Sequence, residues 1–220
     1  MIPLRDSHPS VTTPFVTMFI IAVNVLVFLF QVSLDEFSRN EFVHAFAVVP
    51  AHLQLSTLIT SMFLHGGWMH LIGNMWFLWI FGDNVEDILG HWQYLAFYLV
   101  CGVAASLVQL PFMAGSEIPL LGASGAIAGV MGAYIIKFPH SSITTLIPIG
   151  FLFVREIPAL WMLGYWMAIQ LFSGVMGLSH SSETGGVAFF AHVGGFIAGI
   201  VLIKLLPTQD RYFKHPEYRW

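Results

Sequence analysis

The chain has 220 residues, of which 57% are hydrophobic and only 9% carry a charge. Because a soluble domain carries roughly 25% charged residues, this composition excludes a protein that covers its surface with polar groups, and it predicts that a lipid bilayer is the solvent. The formal net charge of −4 is small and gives no reason to expect a nucleic-acid partner.

Six apolar runs follow one another along the chain, and we predict that each forms a membrane-spanning helix. Several runs are long enough to cross about 30 Å of hydrocarbon, and they are continuous rather than alternating, which favours helices over the strands of a barrel. The predicted fold is therefore an all-α, polytopic six-helix bundle that occupies residues 1–220 as a single domain. Its predicted spans are residues 15–32, 68–82, 93–113, 124–138, 157–178 and 187–206.

Two of the segments that connect these spans have compositions that predict their structure. Residues 33–67 mix apolar side chains with histidines and acids, which predicts an amphipathic segment in the outer interface of the membrane. Residues 144–154 are apolar, but a run of about eleven residues is too short to cross a bilayer. We expect this second segment to be an interfacial or re-entrant connection rather than a seventh span.

The basic residues predict how the bundle is oriented, since cytoplasmic loops carry an excess of Lys and Arg. With the N-terminus inside, seven of the eight basic residues lie on the inner side, and the number of spans is even. The seven are Arg5, Lys137, Arg155, Lys204, Arg211, Lys214 and Arg219, and the eighth, Arg39, lies outside. We expect a multi-pass membrane protein with both termini in the cytoplasm.

Four polar side chains stand out within these apolar spans. Ser124 begins the fourth span, His192 lies in the sixth, and His70 and Asn74 lie four residues apart in the second, which places them on one helix face. Helix packing is the better explanation of Ser124 taken alone, and it explains His192 alone, or the His70–Asn74 pair, as well as function does. Together they would meet at one depth below the outer surface, and ionisable groups at membrane depth indicate function.

Glycines at four-residue steps predict which helices touch. Gly125 and Gly129 lie in the fourth span, and Gly195 and Gly199 lie in the sixth. Small residues with this spacing let two helix backbones approach closely. Packing along these faces would bring His192 to Ser124.

Such a set of side chains is suited to nucleophilic catalysis. A serine hydroxyl becomes a good nucleophile when a base takes its proton, and His192 has suitable basicity near neutral pH. His70, Asn74 and the backbone N–H of Ser124 could donate hydrogen bonds to the oxyanion formed by attack on an amide. The predicted reaction is hydrolysis of a peptide bond within or beside the membrane, with no cofactor.

Two alternatives from other functional classes are weaker. A zinc site would use His65, His70, Asn74 and His192. Against it, His65 and His70 are five residues apart, about 140° around a helix, and the chain has no HExxH motif. A transporter or channel is disfavoured because the spans lack paired charges and the sequence shows no inverted repeat.

Four motifs in the sequence resemble those of rhomboid intramembrane serine proteases. They are "HGGWMHLIGNM" at 65–75, "FGDNVED" at 81–87, "GASG" at 122–125 and "AHVGGFIAG" at 191–199. The resemblance implies a compact six-helix bundle whose active site opens to the outer side and whose substrates are single-span membrane proteins. It also implies the roles of individual residues: Ser124 as nucleophile, His192 as general base, His70 and Asn74 as oxyanion side chains, Gly122 in the serine motif, Gly195 and Gly199 in helix packing, and Glu86 in a structural knot after the second span.

The sequence departs from the family pattern beside the predicted site. Many members have a tyrosine four residues after the serine, under the catalytic histidine, whereas this chain has Ala128, so another group must support His192. Many also carry a Trp-Arg pair in the loop after the first span, which is absent from residues 33–67.

The fourth and sixth spans contain no Asp or Glu, which predicts a Ser124–His192 dyad. The alternative function is a non-catalytic rhomboid-like protein that binds or sorts transmembrane clients. The presence of both Ser124 and His192 argues against it.

Overall fold

The structure is a computed structural model, and it describes residues 1–149, 151–178 and 188–209. Helices dominate it. The α-helices are α1 Phe15–Ser33, α2 Glu36–Phe46, α3 Thr57–Thr60, α4 Trp68–Leu89, α5 His91–Gln109, α6 Ser124–Lys137, α7 Ala159–Leu178 and α8 Phe189–Leu205. Short 3₁₀ turns cover Pro50–His52, Ser61–Phe63 and Leu110–Met113, and the strands are β1 Ile2–Asp6, β2 Ser142–Ile149 and β3 Phe151–Pro158.

Three of these helices are long and apolar enough to cross a membrane. They are α1, α5 together with the 3₁₀ turn that follows it, and α7. The apolar helices α6 and α8 are shorter. Large apolar side chains on α1 and α7, such as Leu26 and Phe172, point outward and are exposed, as expected where lipid replaces water. A helix covers most of each of the six predicted spans, and its ends lie within a few residues of the predicted ones except at the end of α4.

Helix α6 lies at the centre of the bundle. All its residues from Gly125 to Tyr134 are buried, since α4, α5 and α8 pack around it. Its many Gly and Ala residues bring these neighbours close to its backbone. Methyl groups added to Gly195 and Gly199 of α8 would overlap the carbonyl oxygens of Gly125 and Gly129, respectively. The two helices therefore touch backbone to backbone.

The all-α prediction is wrong in one part of the chain. A three-stranded antiparallel sheet, in the order β1-β2-β3, lies beyond the end of α6. Residues 144–154, predicted as an interfacial or re-entrant connection, belong to the β2–β3 hairpin, whose register runs from Ser142 opposite Pro158 to Ile149 opposite Phe151. The segment is rich in β-branched and aromatic residues, which favour strands, and pairing satisfies backbone groups in a run too short for a spanning helix.

Helix α4 continues seven residues past its predicted end at residue 82 and passes through the acidic cluster. The extension is possible because the N-terminal segment pairs with the acids. The carboxylate of Glu86 accepts hydrogen bonds from the backbone N–H groups of Val16 and Thr17 at 2.9 and 2.8 Å. These N–H groups belong to the first turn of α1 and lack partners within the helix. Glu86 thereby joins α4 to the start of α1, far from Ser124.

Residues 33–67, which are predicted to be an amphipathic segment, lie between α1 and α4. They contain two short helices and two 3₁₀ turns. Helix α2 begins after Asp35, whose side chain accepts a hydrogen bond from the backbone N–H of Ser38. None of the residues of α2 is buried, and Phe37 is 74% exposed. The segment thus presents apolar and charged side chains on the surface, and its location in the membrane interface stays a prediction.

The end of β1 carries a carboxyl group that should make stability depend on pH. The hydroxyl of Tyr134 donates a hydrogen bond to Asp6 at 2.6 Å, and burial raises the pKa of Asp6 from 3.8 to about 7. A carboxyl whose pKa is raised on folding contributes stability that is present at low pH and lost as the pH rises through about 7. We therefore expect the wild-type melting temperature to fall, relative to that of Asp6→Asn, between about pH 5 and pH 8.

A matched control is Asp35→Asn, which alters an exposed acid at the start of α2. Its hydrogen bonds with Ser38 lower the pKa of Asp35, so this group stays ionised across the same range. The melting temperatures of wild type and Asp35→Asn should keep a constant difference over that range. An equally constant difference for Asp6→Asn would contradict the role given to burial at Asp6.

Candidate active site

Ser124 and His192 meet where helices α6 and α8 begin. Ser124 is the first residue of α6, and His192 lies in the first turn of α8. The Oγ atom of Ser124 lies 2.8 Å from Nε2 of His192, although the residues are 68 positions apart. The close contact between α6 and α8 along their glycine faces brings the first turns of both helices to this short separation.

A second helix supports the histidine ring from the other side. The Nδ1 atom of His192 lies 2.7 Å from the side-chain oxygen Oε1 of Gln170. The ring of Trp166 lies against the imidazole with a centroid separation of 5.6 Å. Both residues lie on α7, one helical turn apart. These two side chains support the His192 ring. Many members of the resembled family use a tyrosine for this, at the position that is Ala128 in this chain.

His70 and Asn74 line the same cavity as Ser124 and His192. The cavity has a volume of about 1050 Å³, and its walls come from α4, α5, α6, α7, α8 and the loop before α6. The side-chain nitrogen of Asn74 donates a hydrogen bond to Nε2 of His65 at 2.9 Å. His65 is fully buried and fixes the orientation of the Asn74 amide. The sequence indicated no role for His65 in positioning Asn74.

Gly122 brings the chain before the serine against His70. Its φ angle is +119°, which L side chains rarely adopt, and its N–H donates to the carbonyl oxygen of Ser61 at 2.9 Å. A Cβ atom on Gly122 would lie 2.7 Å from two ring atoms of His70. Only glycine fits here, because any side chain would displace the ring.

We expect Gly122→Ala to lower activity by tenfold or more. The added methyl group would push His70 out of the cavity, in addition to the backbone strain of about 1 kcal/mol at a positive φ. Gly115→Ala is a matched control, since Gly115 also has a positive φ of +74° but nothing within 4 Å of an added Cβ. Substrate cleavage and melting temperature should be measured for both variants, and equal losses of activity would contradict the contact with His70.

The arrangement contains a nucleophile, a base and hydrogen-bond donors around one cavity. Ser124 is the first residue of α6, so its backbone N–H has no partner within the helix and lies at the positive end of the helix dipole. His70 and Asn74 add two side-chain donors on the cavity wall. Such a set can accept the proton of an attacking hydroxyl and stabilise a developing oxyanion.

Three acidic residues bear on whether a carboxylate could complete a triad with His192, namely Glu86, Glu117 and Glu183. Glu117 lies on the surface with a carboxylate oxygen 3.2 Å from Nε2 of His52, and Glu86 lies at the far end of α4. Glu183 lies outside the described residues. Within the ranges that the structure describes, the hydrogen-bond partners of the His192 ring are Ser124 and Gln170.

Comparison with known proteins adds a line of evidence independent of this geometry. A sequence model described as the Rhomboid domain matches residues 52–209 of the chain. "Rhomboid protein 1, mitochondrial" of Saccharomyces cerevisiae is 33% identical over 149 residues, which cover 66% of this chain and 40% of the yeast protein. "Presenilin-associated rhomboid-like protein, mitochondrial" of Homo sapiens is 32% identical over 205 residues, which cover 90% of this chain and 48% of the human protein.

A plant protein shows a comparable similarity. "RHOMBOID-like protein 5" of Arabidopsis thaliana is 30% identical over 162 residues, which cover 73% of this chain and 47% of the plant protein. The chain thus spans less than half the length of these three relatives.

Proposed function

Because the chain belongs to the rhomboid family, we propose that it is an intramembrane serine endopeptidase with a Ser124–His192 dyad. The single observation that carries the proposal is the 2.8 Å contact between Ser124 Oγ and His192 Nε2. A hydroxyl and an imidazole inside an apolar bundle are costly unless they are paired. Here they are paired with each other and open to a cavity large enough for a peptide segment.

The proposed reaction proceeds through an acyl-enzyme. His192 Nε2 takes the proton of the Ser124 hydroxyl while Oγ attacks the carbonyl carbon of the scissile peptide bond. The tetrahedral intermediate collapses, the C–N bond breaks, and the leaving amine takes the proton from His192. Water, activated by the same base, then hydrolyses the ester and regenerates the serine.

His70, Asn74 and the backbone N–H of Ser124 are the proposed donors to the oxyanion of that intermediate. Both side chains line the cavity beside the serine. The hydrogen bond from Asn74 to His65 uses one of the two amide N–H groups, which leaves the other for a substrate oxygen. Loss of one such donor lowers kcat by roughly 10²- to 10³-fold in other serine hydrolases.

The substrates that we propose are single-span membrane proteins, cut in or near the membrane. The cavity is lined mainly by small and apolar residues, and the outer surface of the bundle is apolar, so a substrate would approach from the lipid. In the proposed arrangement residues 1–220 form one domain, and α4, α6 and α8 cross the membrane as well as the three long helices. Helix α6, with 14 residues, is only about 21 Å long, which would leave its serine end below the membrane surface.

The proposed orientation has both termini in the cytoplasm and the cavity open to the outer side. Arg5 in β1 and Arg155 in β3 lie on the same sheet, opposite neighbouring residues of β2. Lys137 ends α6 just before this sheet. Three basic residues thus gather at the end of the bundle far from Ser124, which supports a cytoplasmic location for that end. Arg211, Lys214 and Arg219 lie outside the described residues.

The test is cleavage of a labelled single-span protein by the purified chain in liposomes. We expect two products whose masses place the cut within or beside the transmembrane segment. Binding of the substrate without any cleavage, by folded protein, would contradict the proposal and favour the non-catalytic alternative.

A further inference from the structure

Gln170 of α7 contacts the ring nitrogen of His192 that does not face Ser124. Its side-chain oxygen lies 2.7 Å from Nδ1 of His192, while Nε2 of the same ring lies 2.8 Å from the hydroxyl of Ser124. The imidazole is thus bonded at both nitrogens, and the two contacts come from two different helices.

These two contacts select one tautomer of the imidazole. An amide oxygen can only accept a hydrogen bond, so Nδ1 must carry the proton that is donated to Gln170. In a neutral imidazole Nε2 is then unprotonated. Nε2 is the nitrogen that accepts the hydrogen bond from the Ser124 hydroxyl. The Gln170 amide therefore holds the His192 ring in the tautomer that can act as a base.

An amide suits this position better than a carboxylate would. In a soluble serine protease a buried aspartate holds the tautomer, but an ionised side chain in the middle of an apolar helix such as α7 is costly. Gln170 supplies the acceptor without a charge. The tilted ring of Trp166, one turn earlier on α7, packs on the imidazole and limits its rotation.

We propose that Gln170 is a positioning residue, whose side-chain oxygen holds His192 in the tautomer that accepts the proton of Ser124. The inference rests on the proposed function of the Ser124–His192 pair and adds a third member that touches neither the substrate nor the reacting serine.

The test compares Gln170→Met, which keeps the length of the side chain but removes the acceptor, with Gln170→Glu, which keeps an acceptor. We expect Gln170→Met to lower kcat roughly 10- to 100-fold with little change in KM, as for the loss of one buried hydrogen bond. Gln170→Glu should retain more activity than Gln170→Met. Its carboxylate should also stabilise the imidazolium and move the acidic limb of the pH–rate profile to higher pH.

His70 is the other titratable residue among the described residues that line the cavity. It is present in every variant, so it cannot produce a difference between them. Gln93→Met is the matched control, because the Gln93 side chain donates to the carbonyl oxygen of Pro207, away from the cavity. This control should keep the wild-type kcat and pH profile.

Two outcomes would overturn the inference in variants with unchanged melting temperatures. One is a wild-type kcat in Gln170→Met. The other is an equal loss of kcat in Gln170→Met and Gln170→Glu, with no shift of the acidic limb of the pH–rate profile. That result would mean that Gln170 only fills space beside His192.

The rate at which a serine-reactive fluorophosphonate labels Ser124 separates this inference from the proposed function. Labelling reports activation of the serine without any peptide substrate. If the wild type were labelled but cleaved no protein, the peptidase proposal would fail, while slower labelling of Gln170→Met would still support the role of Gln170. Equal labelling rates in wild type and Gln170→Met would contradict it.

Discussion

Ser124→Ala is expected to abolish cleavage of a single-span substrate, with kcat lowered by roughly four to six orders of magnitude. The variant lacks the hydroxyl that is bonded to His192, and without that hydroxyl the acyl-enzyme of the proposed reaction cannot form. His192→Ala should lose a similar amount, since the hydroxyl then has no base. Because the two residues act as a unit, the double variant should be no less active than either single variant.

The loss should come from chemistry and not from unfolding. Removal of the Ser124 hydroxyl deletes one hydrogen bond, which costs about 1 kcal/mol of stability. Ser141→Ala is a matched control, because it removes a buried hydroxyl bonded to Tyr134 at the other end of α6. This control should lose similar stability and keep its activity. Wild-type cleavage by purified Ser124→Ala or His192→Ala would show that the assignment is wrong.

Gly199→Leu is expected to have the largest effect on stability. A side chain at Gly199 would overlap the backbone of Gly129, and a backbone cannot rotate away as a side chain can. Forcing α6 and α8 apart should cost about 3 kcal/mol or more of stability, and it should also separate His192 from Ser124. Melting temperature in detergent and cleavage rate should therefore fall together.

Gly164→Leu on α7 provides the comparison. Gly164 is also in a helix, but nothing lies within 4 Å of an added Cβ, so the leucine would extend into free space. This variant should melt close to the wild type and remain active. If Gly199→Leu behaved in the same way, the two helices could not be packed along this glycine face.

The parts of the fold that could be predicted depend on signals within one segment. Long apolar runs mark helices because each helix satisfies its own backbone groups. The four-residue steps from Gly125 to Gly129 and from Gly195 to Gly199 indicate a contact face, and the structure has α6 and α8 touching there. In the structure Gly195 lies against Gly125 and Gly199 against Gly129, and this register places Ser124 and His192 a short distance apart.

The parts that could not be predicted depend on partners far away in the chain. Strand β1 pairs with β2 across more than 130 residues, and neither strand alternates strongly enough to be recognised alone. The end of α4 was placed too early because its acids look exposed in the sequence. Their partners are backbone N–H and hydroxyl groups of the N-terminal segment, about 70 residues earlier.

The partners of the site residues were missed for the same reason. Gln170 is an amide in an apolar span, a signal that is present in the sequence. It lies 22 residues before His192 and in a different predicted span, so no helical spacing relates the two residues. The hydrogen bond between Asn74 and His65 joins a helix to the loop before it, where helical spacing does not apply. A search for every uncharged polar side chain within the spans would have included Gln170.

The most direct test of the account is the site of covalent labelling by a fluorophosphonate probe in the purified protein. We expect the probe to attach to one residue, identified as Ser124 by mass spectrometry of the digested chain. Labelling should be absent in Ser124→Ala and strongly reduced in His192→Ala. Labelling at another residue, or undiminished labelling of Ser124 in folded His192→Ala, would contradict a serine nucleophile activated by His192.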